Sequence, residues 1–81
     1  MADSNSYLED IRIVGQRLRE ARKAAGYTSA EKFAYEHQLD RTQYSRCERG
    51  HNMTLSTLFR IADILKVDPS ELLKGLPCNR N

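Results

Sequence analysis

From Ser29 to Gly50 the chain carries two helical signatures with room for only a tight turn between them. Nothing else in the sequence restricts the fold as strongly. Phe33, Ala34 and His37 stand at i, i+1 and i+4, which places them on one face of a first short helix. Leu39 and Asp40 interrupt that pattern. Asp40 is suited to cap a second helix, because its carboxylate can accept from a free backbone N–H of the first turn. Gln43 completes a capping-box spacing, and Leu39 precedes Tyr44 at the spacing of a hydrophobic staple. Gly50 supplies the stop, since glycine enters the left-handed C-terminal position without steric penalty.

The second helix, over residues 41–49, has two unlike faces. Tyr44, Cys47 and Glu48 share one side. Thr42, Ser45, Arg46 and Arg49 share the other at i, i+3, i+4 and i+7, with Arg41 in the first turn. A short helix presenting arginine and hydroxyl groups suits the DNA major groove, where arginine reads guanine edges and Thr or Ser bonds bases or phosphates. On pattern alone, a solvated face of an ordinary helical bundle accounts for these residues equally well.

In chain order, Ser6 and Glu9 have capping-box spacing and predict a helix from about Tyr7. Leu8, Ile11, Val14, Leu18, Ala21 and Ala25 recur at steps of three and four as one apolar stripe, with Arg12, Arg19 and Lys23 opposite. Gly15 inside that helix costs about 1 kcal/mol against alanine, which a close helix–helix approach would explain. Gly26 ends the helix, and Thr28 with Glu31 offers a cap for the next. Met53, Thr54 and Leu58 repeat the staple-and-cap pattern for a fourth helix, whose apolar face is Leu55, Leu58, Ile61, Ala62 and Leu65. Asp68-Pro69-Ser70-Glu71 starts a fifth helix over residues 69–74, closed by Gly75. No strand pattern emerges, and the expected fold is all-α with five helices.

Eighty-one residues suffice for one core, near the lower limit of independent stability. The expected organisation is a disordered segment over residues 1–5, one domain over 6–76 and a short tail over 77–81. The net charge is only +2, so any nucleic-acid contact must depend on where the basic residues sit. Two distant cysteines make no secreted disulfide framework, the polar N-terminus has no apolar signal core, and no apolar run approaches a membrane span. The cytoplasm is the expected location. His37, Cys47, His51 and Cys78 lack the paired spacing of a zinc site, and no third group accompanies a Cys–His pair. Neither a metal, a cofactor, a small-molecule ligand nor an enzymatic activity is expected.

Residues 14–73 resemble the Cro/cI-type (XRE-family) helix-turn-helix domains of bacterial and phage repressors. The resemblance is carried by the run Val14 to Arg22, Phe33-Ala34, Leu39-Asp40-Arg41-Thr42, Ser45 to Gly50, and Leu58 to Ala62, in family order. It implies a five-helix lambda-repressor-like fold binding double-stranded DNA as a homodimer that regulates transcription. Arg41, Thr42, Ser45 and Arg46 would then meet base edges, and Arg19, Lys23, Arg49, His51, Asn52 and Thr54 would meet phosphates. The family also pairs an arginine of the first helix with a glutamate at the end of the recognition helix, the places held here by Arg22 and Glu48. The Leu-Asp-Arg-Thr segment most resembles the controllers of restriction–modification systems.

Four departures accompany the resemblance. Ala30 stands where a glutamine is common, Tyr27 adds a residue before the second helix, Gln38 replaces the usual turn glycine, and Met53 replaces a common proline. A left-handed backbone is therefore expected at Gln38. Leu72, Leu73 and Leu76 exceed what one short helix can tuck inward, so they are expected to be exposed and to form the dimer interface. The competing class is a protein-interaction module of the same fold, such as an antitoxin holding a partner protein.

Overall fold

The computed structural model describes residues 7–77. Among them are five helices and no strand: α1 (Leu8–Ala24), α2 (Ala30–Glu36), α3 (Arg41–Glu48), α4 (Leu55–Leu65) and α5 (Pro69–Leu73). The segment expected to be disordered over residues 1–5, the capping residue Ser6 and the tail cysteine Cys78 lie outside the described residues. The N-cap of α1 is Tyr7, which makes no side-chain cap bond, and Glu9 instead pairs with Arg12 at 2.6 Å.

Three starts follow the local chemistry of the sequence. Asp40 Oδ1 accepts from the Gln43 N–H at 2.8 Å, Thr54 Oγ1 from that of Thr57 at 3.2 Å, and Asp68 Oδ1 from that of Ser70 at 2.9 Å. The start of α2 differs from expectation: Ser29, not Thr28, is the cap, accepting from Lys32 N–H at 3.1 Å. Gly26 and Tyr27 are occupied in closing α1, and Tyr27 packs edge-on against Phe33 with ring centroids 4.9 Å apart. Helical geometry therefore resumes one residue later.

Four helices end through the same closure. Tyr27 N–H donates to Arg22 C=O (3.1 Å), Leu39 to Ala34 (2.8 Å), His51 to Arg46 (3.0 Å) and Val67 to Ala62 (3.0 Å). The residue before each donor is left-handed: Gly26 at φ +98°, Gln38 at +58°, Gly50 at +96° and Lys66 at +61°. Gln38 thus has the expected backbone, and Lys66 shares it without any sequence signal.

The core comprises Val14, Leu18, Phe33, Ala34, Tyr44, Cys47, Leu58, Ile61, Ala62, Leu65 and Leu72. The α3 helix packs on α1 and α2, while α5 packs on α1 and α4. The apolar stripe of α1 outruns its partners, so Leu8 and Ala25 are exposed at its two ends rather than buried. Leu55 is also exposed, at the rim of a groove with Ile11, Leu73 and Leu76, although the α4 pattern placed it inward. Leu72 corrects the expectation for α5: it is 3% exposed and belongs to the core. The packing of α5 on both α1 and α4 leaves that position no outward face. Leu76 is half-buried, and only Leu73, 38% exposed, is open to solvent.

Gly15 stands where α1 meets α3. A methyl group there would collide with the Cys47 carbonyl oxygen and lie 3.0 Å from that of Glu48. At an open helical site Gly→Ala gains about 1 kcal/mol. Gly15→Ala should instead lower stability by about 1–3 kcal/mol through overpacking, measured as a lower urea midpoint.

Gln38→Gly should act oppositely. It relieves a left-handed cost of about 1–2 kcal/mol and adds unfolded-chain entropy worth about 0.4–1 kcal/mol. The expected net gain, roughly 0.5–1 kcal/mol, should raise the melting temperature by a few degrees.

Candidate nucleic-acid interface

The inward face of α3 is locked. Tyr44 and Cys47 are 2% and 1% exposed, and the Glu48 side chain is 7% exposed against Arg22 at 4%. Arg22 Nε donates to Glu48 Oε2 at 2.7 Å and Nη2 to Oε1 at 3.1 Å, while Nη1 donates to the Tyr27 carbonyl at 2.7 Å. One guanidinium thus ties α1, the loop after it and the end of α3. The side-chain bonds to Glu48 hold the Arg22 proton more tightly than usual, against the opposing effect of burial. Beside the pair, burial and then the Glu48 carboxylate push Tyr44 ionisation well above the ordinary phenol range. Burial likewise raises the Cys47 thiol, which packs as a small hydrophobe.

With that side committed, Arg41, Thr42, Arg46 and Arg49 project into solvent, and Ser45 is half-buried. Arg41, Thr42, Ser45 and Arg49 line one concavity between α2 and α3, whose opposite wall is Glu31. Arg46 stands outside it, on the other flank of the helix. Arg19 and Lys23 are exposed on α1, one turn before and one residue after the buried Arg22. His51, Asn52 and Thr54 follow α3 and are all exposed. Asn52 Oδ1 already accepts from Met53 N–H at 3.0 Å, and Thr54 Oγ1 caps α4. What remains free there is the Asn52 amide NH2 group, the imidazole of His51 and the first N–H groups of α4.

Several contributors escaped the sequence reading. The sequence marks Glu31 only as a capping partner of Thr28, whereas the fold sets it on the wall of the concavity. Arg17 donates to the carbonyls of Leu72 (3.1 Å) and Lys74 (2.7 Å), anchoring the end of α5. Asp10 is 6% exposed and borders the apolar groove near Leu73. No local pattern marks these residues, because their places in the fold depend on elements distant in sequence: α5 for Arg17, α3 for Glu31, and the groove beside Leu73 for Asp10. The added Tyr27 has a clear place: its hydroxyl and His37 Nε2 are 3.1 Å apart, bracketing the buried Phe33 ring. Among the described residues no group of three His, Cys, Asp or Glu side chains converges as a metal site. Nor, among them, is any helix long and apolar enough to cross a membrane.

A locked helix with a basic, hydroxyl-bearing outer face, set after a short helix and a tight turn, defines a helix-turn-helix. Residues 13–74 match the helix-turn-helix domain family, and the chain belongs to it, as a DNA-binding regulator of transcription with the XRE-type fold. Its relatives narrow the description. It is 39% identical over 66 residues to control protein C.BamHI of Bacillus amyloliquefaciens, covering 79% of this chain and 82% of that one. It is 38% identical over 71 residues to control protein C.MunI of a Mycoplasma species, covering 85% and 96%. The crystal structure of the restriction–modification controller protein C.AhdI from Aeromonas hydrophila superposes with a TM-score of 0.69 at 41% identity, covering 78% of this chain and 96% of that one.

Two ion pairs allow a controlled comparison. Glu48→Ala strands a buried guanidinium and should cost about 3–5 kcal/mol. Glu9→Ala breaks a pair whose side chains are 57–58% exposed and should cost no more than about 1 kcal/mol. Urea denaturation of the two variants measures the difference.

Proposed function

We propose that the chain is a sequence-specific regulator that binds a pseudo-palindromic operator as a homodimer, acting on cytoplasmic DNA. Arg41, Thr42, Ser45 and Arg46 meet base edges. Arg19, Lys23, Arg49, His51, Asn52 and the start of α4 at Thr54 meet phosphates. Phosphate contacts position such a domain, and base contacts specify its site. The observation that carries this reading is the split of α3 into a buried face and an exposed Arg/Thr/Arg face. The names of the relatives, control proteins and a restriction–modification controller, support a control role of the same kind here.

The dimer surface is proposed at α5 and its flank, without Leu72. Leu73 and Leu76 join Ile11, Met53 and the exposed Leu55 around an apolar groove, which supports this location. Two recognition helices would then stand about 34 Å apart, one DNA turn. Sedimentation should give a dimer at tens of micromolar, alone or on DNA. Monomer under both conditions overturns the homodimer.

Two substitutions separate reading from general basic attraction. Arg46→Ala should lose about 1–3 kcal/mol on the preferred site and relax preference at one base pair. Lys23→Ala should weaken all sequences alike and reduce the salt slope by about one unit per half-site. Binding to a selected duplex and a scrambled duplex across salt concentrations measures both. If Arg46→Ala changes neither affinity nor preference, α3 does not read DNA, and the protein-interaction module becomes the better reading.

A further inference from the structure

The wall of the recognition concavity contains one group of the wrong sign for a phosphate. Glu31, in the first turn of α2, lines it opposite Arg41, Thr42, Ser45 and Arg49. Glu31 is exposed, and among the described residues its carboxylate makes no hydrogen bond or ion pair. Ser29 caps α2 independently of it. A carboxylate in a first turn is favoured by the helix dipole, which accounts for its presence but not for its position across from the reading stripe.

We infer that Glu31 is a specificity-determining residue whose carboxylate accepts a hydrogen bond from the N4 amino group of a cytosine in the major groove. This rests on the reading of α3 as the DNA-reading helix. An ionised carboxylate can only accept. Phosphate oxygens, guanine N7 and O6 and thymine O4 are also acceptors and repel it. The only donors in the major groove are the amino groups of cytosine and adenine. Adenine presents its N7 acceptor beside the amino group, an arrangement that matches a side-chain amide and opposes a carboxylate. Cytosine presents a donor alone. Arg41 and Arg49, at the two ends of the stripe, supply the positive field that keeps the carboxylate compatible with a polyanion.

The test is selection of bound duplexes from a random pool by the wild type, Glu31→Ala and Glu31→Gln. Competition then follows on the selected site with the implicated C·G pair exchanged. The wild type should require one cytosine per half-site, with discrimination of about 5- to 150-fold against the exchange. Glu31→Ala should lose preference at that position alone and keep the rest of the motif. Glu31→Gln should move the preference there to adenine, whose N6 and N7 match an amide. The substituted residue is exposed, so unchanged thermal melting is expected and confirms that both variants fold. A wild-type motif retained unchanged by both variants, with affinity altered uniformly, means that Glu31 only repels phosphates and overturns the inference while leaving α3 as the reading helix. If the wild type itself enriches no motif, the reading of α3 fails and the role of Glu31 falls with it.

Discussion

A guanidinium withdrawn from water is tolerable only when its donors are answered, and the position of α3 follows from how Arg22 meets that demand. Glu48 takes two of its N–H groups and the Tyr27 carbonyl a third. The three bonds constrain rotation, spacing and the path of the loop together. Two turns before Arg22 on the same face of α1, Gly15 brings the two helix backbones into contact, leaving no room for a side chain. Removing either partner of such a pair has an effect comparable to a large fraction of a small domain's whole stability, roughly 5–15 kcal/mol. The electrostatic demand and the steric contact therefore act on the same joint. Every outward group on α3 inherits its direction from that joint.

The helix ends show a second economy. Each of four helices is closed by a bond that returns to a carbonyl near its last turn, and each closure needs a left-handed residue. Glycine serves at Gly26 and Gly50. Gln38 and Lys66 serve at the other two, against the steric preference of side chains with a Cβ. Both precede residues, Leu39 and Val67, that are packed against the core. Burial of the following side chain is what holds the strained residue in place.

Features that depend on neighbours within about one turn were legible in the sequence. The caps at Asp40, Thr54 and Asp68 and the stop at Gly50 are interactions between residues two to five apart, so spacing reveals them. Periodicity correctly grouped the faces of α1 and α4. It does not tell how far the covering helices extend, so Leu8, Ala25 and Leu55 read as inward, and the excess of leucines around α5 does not tell that Leu72 is the one taken into the core. The shift of the α2 cap from Thr28 to Ser29 reflects the packing of Tyr27 on Phe33, which no local pattern encodes. Within the site, the Arg41/Thr42/Ser45/Arg46 face followed from helical spacing, whereas the Arg22–Glu48 pair and the left-handed Gln38 came from family resemblance. Glu31 belongs to the face only because α2 is folded across α3. Lys66 and Arg17 give no signal for the same reason, because the core packing of Val67 and the carbonyls of Leu72 and Lys74 meet them only in three dimensions, and the burial of Asp10 likewise follows from packing.

The two-sided construction of α3 bears on how such a protein can diversify. The side chains that hold the helix, Tyr44, Cys47 and Glu48, are interleaved along α3 with those that face outward, and the Arg22 joint bonds only the inner set. Exchanges at Thr42, Arg46 or Arg49 leave the joint intact, and distant substitutions with no shared partners combine nearly additively. A duplicated copy can therefore drift toward a different operator by a few surface replacements without first acquiring stabilising ones. Two such copies in one cell can become insulated from each other while remaining equally well folded.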